Sequence, residues 1–137
     1  MVTLEQLNKI GAGKLPGHLG IVITHSAESE IRGELPINEA LMAPNGFLHA
    51  GTVVTLADTC AGYGCIANLP AAALGFTTIE LKSNHLSSVR DGTILASAKP
   101  AHLGRTTQVW DAVVTHKESG KTLALFRCTQ MVLYANN

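Results

Sequence analysis

From Ala50 to about Asn68 the chain reads AGTVVTLADTCAGYGCIAN, a run in which apolar and polar positions do not alternate. Its length and its small residues argue for a helix enclosed by other structure and stopped by Pro70. This run constrains the fold more than any other. A chain of 137 residues can bury one moderate core, so most of the remaining sequence must serve to cover this helix. Asp58 is the lone carboxylate within it, surrounded by apolar, small or hydroxylic residues. Burying a carboxylate is costly unless it is paired. Asp58 is therefore either bonded to the backbone of a neighbouring loop or placed there for chemistry.

The flanking segments have other periods. Thr3 to Ile10, with Leu4, Leu7 and Ile10 at helical spacing, predicts a short helix ended by Gly11 and Gly13 that packs on the rim. Gly20 to Thr24 is rich in β-formers and Glu30 to Ile37 largely alternates, so the two predict a hairpin with Pro36 at an edge or end. After the helix come Gly75 to Leu86, Gly92 to Ala101, Thr106 to His116 and Thr122 to Tyr134, most of them separated by turn signals such as Arg90-Asp-Gly92 and Glu118-Ser-Gly120. These predict four long strands in an antiparallel meander. The expected class is α+β: one antiparallel sheet wrapped round one long helix, a single domain over 1–137.

Composition excludes several functions. Ten basic residues balance ten acidic ones, so no general attraction to nucleic acid or to an anionic membrane is expected. The N-terminal segment carries polar residues where a signal peptide needs an apolar core, and no run is long enough to span a bilayer, which predicts a cytoplasmic protein. Cys60, Cys65 and Cys128 fit neither a disulfide framework nor a zinc set and read as buried thiols. His25, His85, His102 and His116 lack ligand-like spacing, so no metal is expected. No serine sits in a nucleophile elbow, no base adjoins Cys60 or Cys65 in sequence, and no glycine-rich phosphate loop follows a strand.

The start of the long helix offers chemistry of its own. His49, Ala50 and Gly51 stand where its first N–H groups have no internal partner, and such an end can hold an oxyanion. His49 equally suits a simple capping role. Asp58 follows His49 by nine residues, which is about half a turn round the helix and about 13 Å along it. One chain cannot bring the two together. If both serve one site, that site lies between two chains, and a symmetric dimer makes two of them.

Asn45-Gly-Phe-Leu-His-Ala-Gly51, Leu56-Ala-Asp58, Asn84-His85 and Ala101-His-Leu-Gly-Arg-Thr-Thr-Gln-Val-Trp110 together resemble the hotdog-fold acyl-CoA thioesterases of the phenylacetate-degradation and 4-hydroxybenzoyl-CoA type, over about Gly17 to Tyr134. The resemblance implies a long helix wrapped by a curved antiparallel sheet, subunits that join their sheets in pairs, and a site between subunits of a homodimer or homotetramer. It places Asp58 at the family's catalytic carboxylate, as general base or nucleophile, and Ala50 at an oxyanion N–H beside His49. The usual His-Gly-Gly reads His49-Ala50-Gly51 here, and Ala43 replaces an amide side chain six residues before the histidine. Thr78 stands near a position that lines the site in relatives. His85, Leu86, Ser87 and Ser88, with His102, Leu103, Gly104, Arg105, Thr106 and Thr107, correspond to the CoA channel, where Arg90 and Arg105 offer donors to phosphate.

The implied reaction is hydrolysis of an acyl-CoA to free acid and CoA, with no cofactor. Two other readings share the fold. One is a hydratase or dehydratase acting on acyl thioesters. The other is an acyl-CoA-binding protein without turnover, motivated by Ala43.

Overall fold

The computed structural model describes residues 2–136. Two short helices, α1 (Leu4–Ile10) and α2 (Leu15–Leu19), precede the hairpin β1 (Val22–Ala27) and β2 (Glu30–Pro36). A 3-10 turn at Glu39–Leu41 leads to the long helix α3 (Ala50–Ala67), and β3 (Ala73–His85), β4 (Thr93–Leu103), β5 (Thr107–His116) and β6 (Thr122–Tyr134) follow. The strands form one antiparallel sheet in the order β1-β2-β4-β5-β6-β3, packed against α3. Its inner face and the helix share the core of Ile31, Leu35, Leu56, Cys60, Ile94, Trp110, Val114 and Phe126.

The four-strand meander is corrected in one respect. Only β4, β5 and β6 run as a meander, whereas β3 pairs with β6 at the far edge and β4 returns to pair with β2. Arg90-Asp-Gly92 belongs to a longer connection from Leu86 to Gly92, not to a tight hairpin. A helix of eighteen residues needs cover along its whole length, so the chain crosses beneath the sheet in α3 and lays strands on both sides of it. The short α2 and the 3-10 turn carry too few residues to show a periodicity.

Local chemistry accounts for the element ends. Thr3 and Gln6 form a reciprocal capping box at α1, and Asn8 then clamps the edge strand by accepting from Ile23 N at 2.8 Å and donating to Ile23 O at 3.0 Å. Asn68 closes α3 by donating to Gly64 O at 2.9 Å and to Glu28 O at 2.8 Å. The helix lies close to the sheet because glycines face the contact. A Cβ on Gly64 would enter the ring of Trp110, and one on Gly33 would stand 2.8 Å from Cys60 Sγ.

Candidate active site

The first turn of α3 is held by the loop before it. Met42 bridges to Leu48, Ala43 N donates to Phe47 O at 2.7 Å, and Gly46 takes the left-handed φ of 86° that this tight return requires. Thr52 Oγ1 donates to Leu41 O at 2.9 Å, and Leu48 N donates to Val89 O at 2.8 Å, so the helix start is tied to both neighbouring loops. His49 is the N-cap: its Nδ1 accepts from Gly51 N at 2.8 Å, which leaves the proton of the neutral ring on Nε2. Thr52 N and Val53 N bond to His49 O. Among the described residues the Ala50 N–H has no partner. It opens on a groove of about 370 Å³ lined by Ala43, Asn45, Phe47, Leu48, His49, Ala50 and Ser88. The Arg90 guanidinium lies beside it, 4.0 Å from the centroid of the Phe47 ring.

Asp58 sits in the middle of α3, partly buried. Its Oδ1 is buried without a hydrogen-bond partner, and burial pushes its carboxyl above the ordinary carboxylate range. The three cysteine thiols are free and buried. Burial, with the Asp58 carboxylate as the next cause, pushes Cys128 up to about 12. That places β6 next to Asp58 and leaves Cys128 a protonated neighbour, not a nucleophile. Among the described residues no loop amide reaches Asp58 Oδ1, so the backbone-bonded alternative finds no support there.

The remaining expected residues fall into two groups. Ser88 joins His49 and Ala50 in the groove, and His85 ends β3 just before it, with Leu86 N and Ser87 N both donating to Leu123 O. His102 and Leu103 end β4, Gly104 N donates to Thr107 O at 2.9 Å, and Arg105 and Thr106 form the turn into β5. Tyr134 donates its hydroxyl to Arg105 O and presents its ring to that guanidinium at 5.7 Å. The two groups lie at opposite ends of the sheet. His85 registers with Ala124 and Thr107 with Met131, seven residues apart along β6, or about 23 Å. One chain therefore does not form a single channel from both.

Thr78 lies on the edge strand β3, exposed, and donates to Gln130 Oε1 at 2.6 Å. Gln130 is 0 % exposed, and its Nε2 has no partner. Sequence reasoning passed over it. The available signal was a polar residue at an inward position of β6, in step with Cys128 and Val132.

The chain matches the Thioesterase superfamily over residues 45–123, more than half its length. It is 33% identical to the 1,4-dihydroxy-2-naphthoyl-CoA hydrolase of Escherichia coli, covering 96% of each chain. It is 30% identical to the proofreading thioesterase EntH of Cronobacter sakazakii, covering 96% of this chain and 95% of that one. The crystal structure of a thioesterase from Haemophilus influenzae superposes with a TM-score of 0.91 at 33% identity, over 98% of this chain and 92% of that one. A fold of one long helix against a six-stranded antiparallel sheet, and a sequence alike over nearly its whole length, give one conclusion: the chain belongs to the Thioesterase superfamily, a hotdog-fold family of thioester hydrolases.

Proposed function

We propose that this protein hydrolyses acyl-CoA thioesters, with 1–137 acting as one domain and each site shared by two subunits. The observation that carries the proposal is the buried, unpartnered Oδ1 of Asp58, about 13 Å along the helix from His49 and half a turn away from it. A carboxylate raised by burial is the stronger base, and no hydrogen bond among the described residues competes for the proton it would take. Water oxygen adds to the thioester carbonyl as Asp58 takes its proton. The carbonyl electron pair moves onto oxygen, where Ala50 N–H of the partner subunit stabilises it. The C–S bond then breaks, the CoA thiolate recovers the proton from Asp58, and the acid leaves.

The edge strand β3 supports the shared site. It pairs only with β6 and leaves Leu74, Ile79 and Leu81 exposed at 75%, 53% and 44%. Pairing it antiparallel with its copy would bring the 85–88 segment of one subunit to the end of the sheet where the partner carries 102–107. The two groups that one chain keeps apart would then share a CoA channel. The exposed Val113, Leu125, Met131 and Leu133 on other strands favour association of two such dimers into a tetramer. Three free thiols suit the reducing cytoplasm. No helix among the described residues is long and apolar enough to cross a membrane.

The test is thiol release from a panel of aromatic and aliphatic acyl-CoAs, read beside sedimentation. Hydrolysis by a dimer or tetramer is expected. An active monomer would remove the shared site, and hydration of an enoyl-CoA without thiol release would favour the hydratase reading.

A further inference from the structure

The inward positions of β5 are Gln108, Trp110, Ala112, Val114 and His116, so the strand ends on a buried histidine where the sheet meets the loops. Both nitrogens of that ring are engaged. Nε2 stands 2.9 Å from Asp91 O, a carbonyl that can only accept, so Nε2 carries a proton and donates it. Nδ1 lies 2.7 Å from Ser119 Oγ and, in the neutral ring, accepts from that hydroxyl. Ser119 thereby fixes the rotation of the ring and aims Nε2 at Asp91.

The hairpin between β5 and β6 does not need this ring. Its backbone closes by itself, with His116 N donating to Lys121 O and Gly120 N donating to His116 O, each at 2.8 Å. The ring reaches instead to the connection from Leu86 to Gly92 that joins β3 to β4. Among the described residues His116 is the only side chain that bonds to the backbone of this connection. Beside it Thr93 N donates to Glu118 Oε1 at 2.9 Å, and a Cβ on Gly92 would stand 2.7 Å from His116 Nε2. The connection therefore rests directly on the imidazole.

That connection is also a wall of the candidate site. Ser88 lines the groove of about 370 Å³ beside Ala50. Arg90 and Asp91 line a second groove of about 640 Å³, together with Ile37, Met42 and Pro44, and Ala43 belongs to both grooves. The start of α3 has ties of its own, since His49 N and Thr52 Oγ1 both donate to Leu41 O, at 3.1 and 2.9 Å. What depends on His116 is the wall, more than the Ala50 N–H.

We propose that His116 is a positioning residue for substrate binding: through Asp91 O it holds Ser88 and Arg90 in place along the grooves that receive the acyl-CoA. The identity of that ligand rests on the thioesterase reading. Contacts from such a wall act on ground state and transition state alike, so loosening it raises KM and leaves kcat nearly unchanged. A histidine that served stability alone would lower the folded fraction, and with it the apparent kcat, at constant KM.

The experiment uses two amides that each keep one end of the ring. In His116→Gln the amide nitrogen takes the place of Nε2 and retains the bond to Asp91, whereas in His116→Asn it takes the place of Nδ1 and retains only the bond to Ser119. Thiol release from the acyl-CoA panel is measured well below the melting temperature of each variant, beside dissociation constants of the matching 2-oxoalkyl thioethers of CoA, which are not hydrolysed. His116→Asn should raise KM and the thioether dissociation constant about tenfold with kcat held within about twofold, and His116→Gln should return both constants close to wild type. Unchanged constants in a folded His116→Asn protein, a fall confined to kcat, or equal constants in the two variants overturns the proposal. Should His116→Asn not fold, Ser119→Ala decides in its place: it lies at an exposed position and frees the ring to turn, so both constants should rise part of the way, and unchanged constants overturn the proposal. Failure of the thioesterase reading looks different, because the wild type then releases no thiol from any acyl-CoA while the thioether constants still decide the role of His116. A wild type that binds none of the thioethers overturns the proposal as well.

Discussion

The two sides of α3 are built to different standards. Toward β2, β4 and β5, Leu56 and Cys60 are fully buried, Gly33 and Gly64 remove their side chains so that Cys60 and Trp110 can fit, and the indole and Gln108 complete each other's hydrogen bonds. Toward β3 and β6 the same helix presents Asp58 with an oxygen unpaired among the described residues, and on β6 Gln130 leaves its amide nitrogen unpaired. Both sides come from one apolar helix and one sheet. The contrast teaches that the packed side supplies the stability from which the other side's unsatisfied groups are held in place. Stability and activity should therefore respond separately to changes on the two sides.

The largest separation is expected from Asp58→Asn. It keeps the size of the side chain and removes the charge, so thiol release should fall by a factor of about 10² or more. The melting temperature should hold or rise, because a desolvated carboxylate without a partner is removed. Near wild-type turnover, or a marked fall in melting temperature, would make Asp58 part of the structural side and erase the contrast.

Gly64→Ala probes the opposite side. Its Cβ would enter a fully buried indole that has no room to move, and overpacking of this kind costs about 1–3 kcal/mol, less the gain in helix propensity of about 1 kcal/mol. Thermal denaturation should show a midpoint lower by several degrees, while turnover per folded protein changes little. A variant as stable as wild type would mean that the helix can lift from Trp110 at no cost.

How far the sequence revealed this asymmetry depends on the kind of signal. The helix over Ala50–Ala67 is legible because its length, small residues and Pro70 are local, and the strand positions are legible because β4, β5 and β6 alternate. The neighbour of β3 is not legible. Partner choice is settled by covering both flanks of α3, and no residue of β3 names β6. At the site, Asp58 stands out as one charge in an apolar run, and the helix-start motif marks His49 and Ala50. The capping bond from Gly51 to His49 Nδ1 and the free N–H of Ala50 follow from backbone geometry alone. Gln108 and Gln130 read alike in sequence, each an inward amide on an alternating strand. What separates them is whether Asn68 and Trp110, or only Thr78, come within reach.

That pair gives the next test. Gln108→Leu strands Trp110 Nε1 and Asn68 O, and leaving a buried donor or acceptor unpaired costs about 1–3 kcal/mol. Gln130→Leu strands only the Thr78 hydroxyl, which is on an exposed residue that water can reach, and it removes an amide that was itself half unpaired. Urea denaturation of the two variants should place the midpoint of Gln108→Leu clearly below that of Gln130→Leu. Equal midpoints would show that the two amides carry the same structural weight.

The smallest expected effect is a difference in sign between two carboxylates as pH changes. Glu30 accepts from Arg32 at 2.8 Å and from Ser97 at 2.5 Å, and the Arg32 bond, then the Ser97 bond, hold its carboxyl down at about 2. A folded-state value below the unfolded one means that Glu30 adds stability above its ordinary value of 4.5 and loses that contribution as pH falls toward 2. Asp58 works the other way, because burial raises it above 3.8. Below 3.8 it is protonated in both states and carries no penalty. As pH rises through its raised folded value, the unfolded chain gains from ionisation first, and stability is lost. Melting temperatures of wild type, Glu30→Gln and Asp58→Asn between about pH 3 and 8 read both trends. The advantage of wild type over Glu30→Gln should grow with pH, modestly because Arg32 is exposed. The advantage of Asp58→Asn over wild type should also grow with pH and then level off above the folded value of Asp58. A wild type that gains on Asp58→Asn as pH rises would mean that Asp58 is paired after all, and that both sides of α3 are built alike.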